Sequence, residues 1–354
     1  MPEVCGSKFY DLYPLNDTYP ELAVNKFAPV DAPQVAIQTS SQFRSWINST
    51  ASASACAKAA PKGTATFATW NSSQCVVPDV EARAMKRAYW ACISQTDSLI
   101  GAVMDRVESN AILSKETIVV FWGDHGWHLG ELNQWAKYTN FEIGTRIPLL
   151  IRLAGQTTAM RSSALIESVD IFPTIVAAAG FPPPPLCANA TDPTPLCVEG
   201  ISALPLWGNN IQEQEGAPLS PRTIAWKSAA FSQYPRPDNG LTVVSDAPPF
   251  NASEKGEAVM GYSIRTDTWR YTEWLAFDHV NAVADWKRGP LWGIELYDHR
   301  GETSRVPTAA DWNYENVNVA HDAANTKIVA TLAQQLRAGW RAAMPPASSR
   351  VPMY

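Results

Sequence analysis

The sequence has no apolar run long enough to cross a membrane. Stretches such as Thr117–Trp122 and Ile171–Gly180 fall well short of the roughly 18 to 20 residues a spanning helix needs. Positive charge is not in excess either. Lys and Arg total 28 against 34 Asp and Glu, a net charge of −6 without a long basic run, which argues against a nucleic-acid partner. The start, MPEVCGSKFYDLYPLND, lacks a basic segment followed by an apolar one, so no signal peptide is read there. Histidine is scarce: five in 354 residues, at 125, 128, 279, 299 and 321, which disfavours sites built from clusters of zinc-binding histidines.

What is present points to a folded, exported protein. With 46% hydrophobic and 18% charged residues, the chain holds enough apolar material for a sizeable core and about two domains. Five N-x-S/T sequons begin at Asn16, Asn48, Asn71, Asn189 and Asn251. Cys187 and Cys197 bracket a Pro-rich loop with the short spacing of a structural disulfide, and Cys56 and Cys75 flank another irregular segment. The alternative is free, buried thiols.

Residues 1–80 show little periodicity, and the Ala/Ser/Lys stretch at 51–68 reads as a surface insertion, placed at about 45–78. From Glu81, Met85, Tyr89, Cys92, Thr96, Leu99, Val103 and Val107 recur at three- and four-residue steps, which predicts a long amphipathic helix ending near Ser109–Asn110. Buried strands are expected at Thr117–Trp122 and Ile147–Arg152, and a helix at Asp170–Gly180. Strand, loop, strand and helix suggest an α/β part with a mostly parallel sheet. After the prolines at 182–185, strand-like pieces and a closing helix, Ala323–Arg341, suggest a small antiparallel α+β subdomain. The division is set at 1–210 and 211–354.

The chemistry concentrates in Gly123–Tyr138, GDHGWHLGELNQWAKY, at the carboxyl end of the first strand, where α/β sheets place their sites. Asp124 and His125 offer an oxygen and a nitrogen side by side, and Lys137 adds a cation thirteen positions after Asp124. Alone, an Asp–His pair more often caps a turn. A zinc site from His125, His128 and Glu131 is disfavoured, because the spacing is not H-E-x-x-H and Gly126 and Gly130 disfavour a helix. Asp97 reads as solvent-facing or capping. Arg236 and Arg265 have the chemistry to clamp a uronate carboxylate, but salt bridges explain them as well, as packing explains Tyr234 and Trp269.

GDHGWHLGE followed by WAKY resembles the second signature of the type I sulfatases and, within them, the iduronate-2-sulfatase-like group. KFYDLYPLND, RAYWACISQTDSLIGAVMD, NFEIGTRIPLLIR, SVDIFPTIVAAAGF, the Cys187–Cys197 loop, FSQYPRPDN, MGYSIRTDTWRYTEW and GIELYDHRGE follow in the family's order. The resemblance implies an alkaline-phosphatase-like α/β fold: a mostly parallel sheet flanked by helices, here incomplete, with a smaller C-terminal subdomain. It implies hydrolysis of a sulfate ester in a glycosaminoglycan-like sugar, with Ca²⁺ and a formylglycine as nucleophile. By matching positions, Asp124 and His125 would belong to the metal site, and Lys137 would bind a sulfate oxygen and neutralise charge in the transition state. Trp127 and Tyr138 would lie near the sugar. Other expectations are a sulfated carbohydrate partner, a lysosomal or secreted location, and specificity for another sulfated polysaccharide or a non-catalytic glycan-binding remnant as alternatives.

The family's first-half features are not found. No cysteine or serine opens a C-x-P-S-R motif, so the formylglycine is not encoded here, and the paired aspartates are missing as well. The chain reads as a C-terminal portion, with the N-terminal half of the same fold as its expected partner. Without that half, remaining strands are expected to expose an edge and an apolar face, and the chain alone is expected to be inactive.

Overall fold

The computed structural model describes residues 6–16, 18–38, 76–188, 196–209, 225–236, 258–278, 280–290, 292–302 and 314–346. The sequons at Asn48, Asn71, Asn189 and Asn251, most of the expected 45–78 insertion, and Cys5, Cys56 and Cys75 lie outside them; Asn16 lies within and is exposed.

A short helix α1 (Ser7–Tyr10) rests on the long helix α2 (Asp79–Glu108). Gly6 N donates to Gln95 Oε1 at 2.8 Å, and the Tyr13 and Ser94 hydroxyls meet at 2.6 Å. Helix α2 begins directly after Pro78 with Asp79 and Glu81 in its first turn, where carboxylates favour the positive end of the helix dipole. Its buried residues, Ala82, Met85, Lys86, Ala88 and Ala91, all lie in its first half. The apolar stripe continues through Leu99 and Val103, but these are each 63% exposed.

After helix α3 (Leu113–Glu116), β1 (Val119–Trp122) leads to a hairpin of β2 (His128–Leu129) and β3 (Trp135–Ala136), helix α4 (Glu142–Thr145) and β4 (Leu149–Arg152). The expected strands are present but differ in sense from the parallel pairing: β1 and β4 run antiparallel, with Phe121 opposite Leu150. The connection from β1 to β4 is taken up by the β2–β3 hairpin and the four-residue α4 rather than by a long crossover helix, and it returns the chain beside β1 in the opposite sense. Among the described residues this pair forms its own two-stranded sheet, and Phe121, Trp122 and Leu150 are exposed. Two strands alone are marginal in water. Helix α5 (Ile171–Ala178) follows, and the expected Cys187–Cys197 disulfide is formed. Cys92 is disulfide-bonded as well.

The C-terminal part is antiparallel, as expected. Strands β5 (Ala230–Arg236), β6 (Ala258–Arg265) and β7 (Trp269–Asp278) lie side by side, and β7 also pairs with β8 (Val283–Ala284) and β9 (Gly293–Asp298). Strand alternation divides the sheet into two faces. On one, Ile264, Trp269, Tyr271 and Leu296 pack against Leu332 and Leu336 of helix α6 (Thr326–Ala338). On the other, Val259, Trp274 and Tyr297 share a core with Val35, Ile37, Leu132 and Phe141. The loop after β1 is therefore seated on the C-terminal sheet. Gly261 permits this: a Cβ there would stand 2.6 Å from the Trp274 ring, and its carbonyl accepts a 2.9 Å bond from Asn140 Nδ2.

Candidate functional site

The site grows from the end of β1. Gly123 N bonds the Pro148 carbonyl at 3.2 Å, after which the chain leaves the sheet at Asp124. Asp124 Oδ1 accepts from His125 N at 3.0 Å, a short turn that leaves the carboxylate largely exposed. Gly126 follows because nothing larger fits. Its N–H donates to Gly144 O at 3.0 Å, and a Cβ would lie 1.8 Å from Ile143 O. This locks the turn onto α4.

Lys137 arrives from the other arm of the β2–β3 hairpin. The hairpin is tightly bent, with Leu132, Asn133 and Ala136 all at positive φ (57°, 55° and 70°). Each such non-glycine residue costs on the order of 1 kcal/mol. Burial offsets the strain, since Leu132 and Trp135 are each 1% exposed. Gln38 fastens the hairpin further: its side-chain amide donates to Trp135 O at 2.5 Å, and its backbone N–H donates to Gln134 Oε1 at 3.0 Å. So held, Lys137 Nζ lies 2.7 Å from His125 Nε2.

Asp124, His125, Trp127 and Lys137 therefore come together. The Trp127 ring stacks between Tyr89 of α2, at 5.9 Å, and His125, at 6.1 Å. Tyr138 faces the subdomain instead: its ring lies 6.3 Å from that of Tyr234, and its carbonyl accepts from Arg236 at 2.8 Å. Tyr89 was missed in the sequence, where its place on the helical stripe reads as core. Burial, and then the nearby charge of Asp124, push its phenol pKa up.

His128 is no metal ligand. It is fully buried, with Nε2 2.9 Å from Thr139 Oγ1 and Nδ1 near the Glu131 carbonyl. Burial pulls its pKa down to about 4. Glu131 is spent on Leu129 N. Arg236 and Arg265 are structural. Arg236 donates to the carbonyls of Val35, Ala36 and Tyr138, and Arg265 pairs with Glu142 and Glu302. Asp97 is exposed.

Below the site, a charged network joins α4 to the sheet. Glu315 binds Arg270, His299 and the Glu142 N–H, and Glu302 binds Arg146, Arg265 and His299. Burial alone would raise both carboxyls. The Arg270 charge at Glu315, and the His299 hydrogen bond at Glu302, overcome it and hold each at about 2. His299 is correspondingly raised, its burial outweighed by Glu302 and Glu315.

A Ca²⁺ ion takes six to eight oxygen ligands. The site offers the Asp124 carboxylate and a His125 ring with both nitrogens within hydrogen-bond distance of other groups. Among the described residues no three His, Cys, Asp or Glu side chains cluster as an ion would need. The described residues thus do not fit a calcium site by themselves. What they do provide is a held ammonium beside an aromatic wall. No helix among them is long and apolar enough to cross a membrane.

Comparison with known proteins shows what the chain is similar to. Residues 32–181 match the family model described as Sulfatase. The iduronate 2-sulfatase of Mus musculus is 31% identical over 255 residues, covering 63% of this chain and 45% of that protein. Arylsulfatase K of Gallus gallus is 28% identical over 191 residues, covering 54% of this chain and 29% of its own. The phosphonate monoester hydrolase SpPMH from Silicibacter pomeroyi superposes with a TM-score of 0.51 at 19% identity, over 95% of this chain and 53% of its own, a likeness of fold alone. The chain spans less than half the length of the iduronate 2-sulfatases it matches. Its fold is the alkaline-phosphatase-like α/β fold, and its residues 32–181 are similar to the sulfatase family model.

Proposed function

We propose that this chain carries the sulfate-holding side of a sulfuric ester hydrolase of the iduronate-2-sulfatase type, acting on sulfated glycosaminoglycan-like sugars. The observation that carries the reading is the Lys137 ammonium fixed beside His125 at the carboxyl end of β1. A cation held there before substrate arrives stabilises the negative charge that builds on sulfate oxygens as the ester bond breaks. Trp127 and Tyr138 supply aromatic faces for the sugar. The nucleophile, a formylglycine, and most ligands of a Ca²⁺ site belong to a segment that these 354 residues do not include, and Asp124 is this chain's contribution to that site.

The same segment, the N-terminal half of the fold, is the partner we propose for the exposed apolar residues of β1, β4 and the second half of α2. Residues 1–210 then form the remainder of the catalytic domain and 211–354 its subdomain. Five sequons and the Cys187–Cys197 disulfide favour a secreted or lysosomal setting. The arylsulfatase K match, 28% identical over 191 residues, favours a second reading in which another sulfated saccharide is the substrate.

Calorimetric titration of the chain with inorganic sulfate and with 2-O-sulfated uronate and 6-O-sulfated hexosamine saccharides tests this. The expected result is weak binding, lost in Lys137→Met and best for the uronate. Binding that survives Lys137→Met would remove the basis of the proposal.

A further inference from the structure

The aromatic wall beside Lys137 does not end at Trp127. The Trp127 ring stacks on His125 at 6.1 Å, with the planes 29° apart, and on Tyr89 at 5.9 Å, with the planes 23° apart. His125 Nε2 in turn lies 2.7 Å from the Lys137 ammonium. Lys137, His125, Trp127 and Tyr89 therefore form one chain of contacts, with a cation at one end and a phenol at the other.

Tyr89 is fixed by its helix before any ligand arrives. It lies in the buried half of α2, next to Ala88 and one turn after Lys86, both buried. Its own ring is only partly covered. The hydroxyl makes no hydrogen bond among the described residues and is not closed off from solvent. Tyr13, Tyr271, Tyr297 and Tyr314, by contrast, use theirs on Ser94, Glu273, Glu295 and the Gly301 carbonyl.

The charges near the Tyr89 phenol are the carboxylates of Asp124 and Glu131, which with burial keep it protonated and a donor. Neither carboxylate takes its hydrogen. Asp124 Oδ1 accepts from His125 N and Oδ2 lies 3.1 Å from His125 Nε2, while Glu131 Oε2 accepts from Leu129 N. A free donor between two negative charges suits an uncharged acceptor. A sugar hydroxyl or ring oxygen can take the bond, whereas a second sulfate or a carboxylate would meet like charge.

We infer that Tyr89 is a substrate-binding residue, whose hydroxyl donates to an uncharged oxygen of the saccharide that Lys137 holds by its sulfate. The inference rests on the proposed sulfate site and deepens it, since Tyr89 lies outside the stretch Gly123–Tyr138. The two contacts divide by charge: the ammonium takes the sulfate, and the phenol reads a neutral part of the sugar. Tyr89 stands two ring spacings from His125, the scale of a saccharide and beyond the reach of a single sulfate ion. A residue that only propped Trp127 would need its ring and not its hydroxyl.

Calorimetric titration of the full chain with inorganic sulfate and with a 2-O-sulfated uronate saccharide tests this. Tyr89→Phe keeps the ring against Trp127 and removes the hydroxyl. It should weaken the saccharide roughly fivefold, as loss of one neutral hydrogen bond does, and leave inorganic sulfate unchanged. Tyr89→Leu, which removes the ring as well, should weaken the saccharide further. Near-ultraviolet circular dichroism of Tyr89→Phe should match the wild type, showing that the aromatic packing is kept. Wild-type saccharide affinity in Tyr89→Phe overturns the inference and leaves Tyr89 a prop for Trp127. An equal loss for sulfate and saccharide overturns it too, because the change would then act through packing, as does absence of saccharide binding by a wild-type chain that binds sulfate. If Tyr89→Phe behaves as expected and sulfate binding does not depend on Lys137, the saccharide contact stands and the reading of Lys137 as the sulfate holder fails.

Discussion

Phe141 meets Tyr297 edge to face, with ring centroids 5.8 Å apart, and this contact seats the segment that carries Lys137 on the C-terminal sheet. Both side chains are almost wholly buried. Truncating Phe141 to Ala should cost about 3 to 5 kcal/mol, as large-to-small changes of buried aromatics do. Because Lys137 lies four residues upstream in the same segment, the loss should also broaden the His125 ring resonances. Urea unfolding and the histidine spectrum check the two effects together.

The buried charge network supplies a second prediction. Glu315 faces both Arg270 and His299 and receives the N–H of Glu142. Glu315→Gln keeps the shape and removes the charge, leaving Arg270, among the described residues, with the more distant Glu295 carboxylate at 3.9 Å. The expected loss is about 3 to 5 kcal/mol, the cost of breaking a buried pair on one side. A change below about 1 kcal/mol in denaturant unfolding, the scale of an exposed ion pair, would contradict that role.

Acid should weaken the fold in two stages. His128 is held at about 4 against an ordinary 6.5, so the unfolded chain takes up this proton first. Stability is then undiminished above about 6.5 and falls as the pH drops towards 4, by on the order of 3 kcal/mol. Glu302 and Glu315, held at about 2 against 4.5, act lower: their contribution is present above 4.5 and lost as the pH falls towards 2. His299 has the opposite sign to His128. Its raised pKa adds stability below the ordinary value, which is lost as the pH rises through the folded one. Unfolding free energies across this range, compared with His128→Gln, should show the upper slope flattened in the variant.

The apolar surface gives a prediction about solubility. Phe121 and Leu150 stand opposite each other on β1 and β4 and are 42% and 59% exposed. Adjacent exposed apolar groups of this kind promote association. Leu150→Thr should lower self-association in light scattering and leave the unfolding midpoint nearly unchanged. A large drop in stability would mean that the residue is packed against something.

Much of this was legible in the sequence, for identifiable reasons. The three- and four-residue spacing from Met85 to Val107 marks α2, and the β-branched and aromatic run ending at Trp122 marks β1, since both signals are local. The Asp124, His125 and Lys137 group was legible as a phrase, through resemblance. The antiparallel sense of β1 and β4 was not, because pairing direction depends on which strands are neighbours rather than on either strand's residues. Nor was the exposure of Leu99 and Val103, since a stripe shows which face is apolar and says nothing of what covers it. The Lys137 contact with His125 also escaped notice. It depends on left-handed backbone at Leu132, Asn133 and Ala136, and of these Asn133 alone is a residue type that favours such a turn.

The most direct test of the account is release of sulfate from an aryl sulfate and from a 2-O-sulfated uronate saccharide. The 354-residue chain would be assayed alone and together with a separately expressed polypeptide supplying the C-x-P-S-R half of the fold. The account predicts no release by the chain alone, and release by the pair that Lys137→Met reduces by about two orders of magnitude, as for other lost transition-state donors. Turnover by the chain alone, or turnover by the pair that is indifferent to Lys137, would contradict it.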